Sequence, residues 1–103
     1  MWQENPVSQP LTIVAIFQAA PGQTEALATA LQGLVAPTLA EEGCLNYDLH
    51  QDLETPGRFL FYENWRTRAD WDAHMESAHL THHKANHGDL FSDVQILQME
   101  KTG

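Results

Sequence analysis

Residues 59–83 read FLFYENWRTRADWDAHMESAHLTHH. The run opens as a strand in which Phe59, Phe61 and Trp65 alternate with Leu60 and Tyr62, so both of its sides are apolar. Thr67 stands three residues before Asp70, close to a capping box, and predicts a helix from there to about residue 76. Ser77 is a second N-cap and Gly88 a stop for the helix that follows. Trp65, Trp71, His74, His79, His82 and His83 are thus gathered where a strand hands over to helices.

Working outward, residues 11–17 (LTIVAIF) form a strand apolar on both faces, with Leu11, Ile13, Ala15 and Phe17 against Val14 and Ile16. Pro21-Gly22 turns the chain. A helical period runs over residues 24–42, placing Leu27, Leu31, Leu34, Val35, Thr38 and Leu39 on one side. Thr24 is its expected N-cap, Gly43 its C′ residue, and Pro37 predicts a bend. Residues 44–51 alternate Leu45, Tyr47 and Leu49 with Asn46, Asp48 and His50, and they pair with 58–65 as an antiparallel hairpin. Residues 93–99 make a last strand.

The order β-α-β-β-α-β predicts an α+β, ferredoxin-like fold with helices on one face of a four-stranded antiparallel sheet. The domain spans residues 11–100, after a polar lead-in over 1–10 in which Trp2 is an anchor. No element remains to cover the second apolar face of the sheet, so a two-fold homodimer, sheet against sheet, is expected.

A chain of 103 residues with 43% apolar and 18% charged residues is one globular domain. Its formal charge of −9 repels phosphate backbones and anionic headgroups, so neither nucleic acid nor a membrane is expected as a partner. Protonating the six histidines would bring the charge to −3, so mild acid should alter its behaviour. A single cysteine, Cys44, and the lack of an export signal or a long apolar run fit a cytoplasmic protein. Cys44 follows a helix C-terminus, which disfavours a thiolate and a nucleophilic role.

His79, His83 and His87 recur every four residues and share a helix face. They fit three uses: chelating a metal, lying half-exposed, or lining a pocket as proton acceptors and donors. Without HExxH or a cysteine pair, no metal is assigned. His74 is the sharper candidate, because Asp70 four residues earlier could hold one ring nitrogen and leave the other for a ligand. A surface i, i+4 pair is the plainer alternative. Trp65 and Trp71 are either core or the walls of a pocket for a flat aromatic ligand, with Tyr47, Phe61 and Leu80 adding to the wall and His83 or His50 as polar contacts.

The runs APGQTEAL, EEGCLNYDLHQD, FYENW and DAHMESAHL together resemble the antibiotic biosynthesis monooxygenase (ABM) family, in particular its small bacterial quinol-monooxygenase-like members. The resemblance covers residues 11–99 and implies a dimeric α/β barrel of two ferredoxin-like subunits. It implies oxidation of a phenolic, quinol or polycyclic aromatic substrate by O₂, with no cofactor. Trp65 matches the tryptophan that ends the family's third strand, and His74 and His79 match its two histidines, so these three residues are the expected catalytic set. Trp71 stands where anthrone-oxidising members carry a tyrosine. The first strand lacks the Asn of haem-degrading members, which argues against haem degradation. The alternatives are a cofactor-free isomerase of a small carbonyl signalling compound and a non-catalytic dimeric stress protein that binds an aromatic ligand.

Overall fold

The structure, a computed structural model, describes residues 9–103. Residues 1–8 of the expected lead-in, with Trp2, lie outside the described residues. The elements are β1 (Leu11–Ala19), α1 (Thr24–Gln32), α2 (Val35–Leu39), β2 (Cys44–Gln51), β3 (Arg58–Trp65), α3 (Arg68–Met75), α4 (Ala78–His87) and β4 (Phe91–Met99). The sheet runs β2-β3-β1-β4 with every neighbour antiparallel. That is the expected ferredoxin-like arrangement, with β2 and β3 joined as a hairpin.

The helix-facing side of the sheet carries Ile13 and Ala15 of β1, Tyr47 of β2, and Phe59, Phe61, Glu63 and Trp65 of β3, all buried. Leu27, Leu31, Leu34, Trp71 and Leu80 close over them from the helices. Each large side chain sealed in this layer contributes about 1.5–3 kcal/mol. On the open face, Thr12, Asn46 and Asn64 form a hydrogen-bonded polar patch beside Val14, Ile16, Leu60 and Tyr62. Tyr62 is 44% exposed and Met99 46%. No described helix is long and apolar enough to cross a membrane.

The segment before β2 departs from expectation. There are two helices, not one helix bent at Pro37. The break lies at Gly33-Leu34, where the Leu34 N–H bonds the Leu31 carbonyl three residues back. Pro37 is the third residue of α2, where an N–H has no partner within the helix, so its ring costs nothing there. Gln23, without a side-chain bond, caps α1 in place of Thr24. Leu39 turns outward and is 51% exposed. Leu45 falls where the β2–β3 register slips, so it leaves the apolar row of Tyr47 and Leu49 and is 55% exposed.

Gly43 is not a helix C′ residue, because α2 ends at Leu39; it is the left-handed joint (φ +80°) that launches β2. Its carbonyl accepts the Arg66 N–H at 2.8 Å, and a Cβ added to it would overlap the Asp70 carboxylate. Gly43→Ala is expected to lower stability by roughly 2–4 kcal/mol through left-handed strain and overlap. Urea unfolding reads this as a lower midpoint at unchanged slope. An unchanged midpoint would mean that the turn rebuilds at no cost.

Candidate active site

Between the helix-facing side of the sheet and α3–α4 lies a cavity of about 290 Å³. Its floor is Ile13, Ala15, Phe61, Glu63 and Tyr47; its roof is Leu34, Trp71, His74, Leu80 and His83. Phe17 and Phe91 close one end, packed edge to face at 5.1 Å. It opens beside edge strand β4, where Val94 and Ile96 are 40% and 41% exposed and Lys84 stands at the rim. Two larger troughs, of about 1000 and 690 Å³, lie on the opposite face of the sheet. They hold only His50 among the histidines.

Thr67 and Ser77 start the two roof helices as expected, accepting the N–H of Asp70 and of Leu80. His74 is 2% exposed, and its Nδ1 lies 2.6 Å from Oε2 of Glu41, not beside Asp70. Asp70 is engaged at the helix start with the Thr67 hydroxyl and Arg66. Glu41 arrives instead from the turn between α2 and β2. Burial pushes the His74 pKa below its ordinary value despite the carboxylate beside it, with His79 and Lys84 acting in the same direction as burial. A neutral imidazole facing a carboxylate donates its Nδ1–H, which leaves Nε2 as an acceptor.

His79 sits behind this couple. Its Nε2 is 2.9 Å from the same Glu41 oxygen and 3.0 Å from the Thr38 hydroxyl. Trp65 is also one layer back, fully buried, with its ring 4.7 Å from that of His74 and its Nε1 donating to Glu63 Oε1 at 2.9 Å. Neither His79 nor Trp65 lines the cavity. Trp71, Tyr47, Phe61, Leu80 and His83 do line it. Tyr47 stacks on Phe61 at 4.4 Å, and burial raises its phenol far above its ordinary value, so it stays protonated. His50 does not join them: it is exposed, across the sheet, with Nδ1 3.1 Å from the Asp48 carbonyl oxygen.

His83 is 4% exposed, and its Nε2 has no hydrogen-bond partner among the described residues. Its pKa is lowered by burial, then by His87 and His82. The chelate of His79, His83 and His87 does not form, because His79 turns to Glu41. Among the described residues, the metal-type donors that do gather are Glu41, His74 and His79, with ligand atoms within 4.8 Å of one another. There one carboxylate oxygen is shared by two imidazoles, an arrangement complete as hydrogen bonds. Burial, with Glu41, Glu63 and Asp48 nearby, raises the Cys44 thiol to about 11, so it remains a thiol.

Sequence reasoning passed over Glu63. It is 3% exposed on the cavity floor, and burial pushes its pKa up to about 7, against the pull of the Trp65 bond. The signal was present: Glu63 is a charged residue in phase with Phe59, Phe61 and Trp65. Folding favours its protonated form, so this contribution is full below about pH 4.5 and lost as pH rises through about 7. The neutral His74 and His83 contribute with the opposite sign, fully above pH 6.5 and less as pH falls. Glu63→Gln removes only the first dependence. Relative to wild type it should gain on the order of 3 kcal/mol between pH 5 and pH 8. Urea unfolding at both pH values measures this, and an equal difference at both would show an unshifted carboxyl.

A family model described as antibiotic biosynthesis monooxygenase matches residues 10–86. "Putative monooxygenase Rv0793" of Mycobacterium tuberculosis is 31% identical over 86 residues, which make up 84% of each chain. The solved structure of PA3566 from Pseudomonas aeruginosa superposes with a TM-score of 0.89 at 40% identity, over 94% of this chain and 98% of that one. The structure of Rv0793 itself superposes at 0.84, over 91% and 96%. The fold agrees with these likenesses, and the chain belongs to the antibiotic biosynthesis monooxygenase family.

Proposed function

We infer that this protein is a cofactor-independent monooxygenase that oxidises a phenolic or quinol-type aromatic of two or three fused rings with O₂. The observation that carries the reading is a carboxylate-oriented, neutral imidazole, His74 on Glu41, set in the wall of a mostly apolar cavity. A space of about 290 Å³ is at the small end of ligand pockets, which run from about 300 to 1,000 Å³. Trp71, Phe61 and Leu80 hold the ring by its faces. The unpartnered Nε2 of His83 gives a substrate oxygen a place to bond.

His74 Nε2 takes the proton of the substrate hydroxyl. The phenolate passes one electron to O₂, and superoxide joins a ring carbon that carries a hydrogen, para to the oxygen in a phenol and ortho to it in a quinol. The peroxide takes up a proton, the C–H proton is lost, and the O–O bond breaks. The products are a quinone carbonyl and one water. The residues hold the ring, orient the base and exclude water from the phenolate. His79, bonded in turn to the Thr38 hydroxyl, braces Glu41 and acts through His74.

The same reading includes a homodimer, in which a second copy covers the open face carrying Val14, Ile16, Leu60 and Tyr62. No described element of this chain covers that face. Sedimentation at micromolar concentration should give a dimer, and Tyr62→Glu should give a monomer. A monomeric wild type at that concentration rejects the dimer. With anthrone and labelled O₂, wild type should place one labelled oxygen in the quinone. His74→Asn should lower kcat by about 100-fold or more at similar stability. Turnover no faster than the uncatalysed reaction would end the oxygenase reading.

A further inference from the structure

We propose that Glu63 is the general acid of the second half of this reaction, giving its carboxyl proton to the hydroxide released when the O–O bond breaks. The inference rests on the monooxygenase reading above. Its basis is where the carboxyl lies. Glu63 projects from β3 onto the cavity floor, directly across the β2–β3 pair from Tyr47 and across the β1–β3 pair from Ile13. It is sealed from solvent, and among the described residues no Lys or Arg pairs with it. Among those residues the indole N–H of Trp65 bonds it, through Oε1. Such a carboxylate is costly to bury. A glutamine would satisfy the indole equally well and carry no charge. Trp65 therefore explains why an acceptor stands at this position but not why it is an acid.

The protons balance. His74 first takes the hydroxyl proton and passes it to the peroxide formed by O₂ and the phenolate. It then takes the C–H proton as the O–O bond breaks, while Glu63 protonates the departing hydroxide to water. The proton left on His74 returns to the Glu63 carboxylate. Two hydrogens leave the substrate, one O₂ is consumed, and one carbonyl and one water form. Trp65 joins the two groups: its N–H bonds Glu63, and its ring packs on His74.

The groups facing Glu63 keep its proton available near neutral pH. From β2 these are the protonated Tyr47 and Cys44, and from the turn before β2 the Glu41 carboxylate, which opposes a second negative charge. From α3 comes the neutral His74, and from α4 the neutral His83, with Lys84 at the rim. Burial is the largest cause of the raised value of about 7. Folding thus separates a base that is unprotonated at neutral pH from an acid that is half protonated there, the pattern an acid–base pair requires.

The test uses the full chain with anthrone and O₂, comparing wild type, Glu63→Gln and Glu63→Asp across pH 5–9. In wild type, kcat should fall as pH rises through about 7, as the acid loses its proton. Glu63→Gln keeps the acceptor for Trp65. It should lower kcat by about 100-fold or more with KM little changed, and it should lose that alkaline limb. Glu63→Asp should retain the limb at reduced rate. An infrared band of a protonated carboxyl, present in wild type at pH 6 and absent in Glu63→Gln, reads the same group without turnover. Wild-type rates and pH profile in Glu63→Gln overturn the proposal while leaving the oxygenase reading intact. A wild type no faster than background overturns both.

Discussion

A buried indole N–H must be given an acceptor, and in this protein that requirement links the core to the cavity. Trp65 is fully buried at the end of β3, and the Glu63 carboxyl is its partner at 2.9 Å. Because side chains two apart on a strand share a face, the acceptor that reaches the indole also stands on the floor of the cavity. The bond fixes where one carboxyl oxygen lies, and the His74 ring packs at a tilt against the indole. Packing and chemistry are therefore set by the same side chain.

Electrostatics inside the cavity run against the charge outside. The chain carries −9 overall, yet Glu63, His74 and His83 on the cavity wall are driven toward their neutral forms by burial. Behind His74, two imidazoles share one oxygen of Glu41. A largely neutral, mostly apolar interior suits a flat aromatic guest, and under the proposed reaction it would give a phenolate few water molecules to lean on. A cationic side chain, Lys84, stands at the rim.

The sheet serves two surfaces with one set of strands. On β1 and β3 the odd-numbered residues face the helices, with Ile13, Ala15, Phe17, Phe61 and Glu63 lining the cavity, and the even-numbered ones present the uncovered face. A one-residue slip of either strand would exchange the two sets, which is why the register matters to both. In β2 the slip at Leu45 is confined to the start of the strand, so Tyr47 and Leu49 stay in register with Glu63 and Phe61.

Local patterns in the chain were enough to specify the strand and helix order, the caps at Thr67 and Ser77, and the apolar rows that meet across the cavity. Alternation and periodicity are properties of neighbours in sequence, and a single face of a strand or helix can be read from them. They also brought out Trp71, Tyr47, Phe61, Leu80 and His83, each of which lies on such a face. What they could not reach was partnership between distant segments. Asp70 lay at the right spacing for His74, but the helix start holds it, and Glu41, 33 residues before the histidine, takes its place. His50 lay on the polar side of its strand, and only the closed sheet shows that this side faces away from the cavity. Pro37 read as a bend became a helix start once the chain broke at Gly33. Glu63 was visible as a misplaced charge on an apolar row, yet its consequence arises only from burial, which is a property of the folded whole.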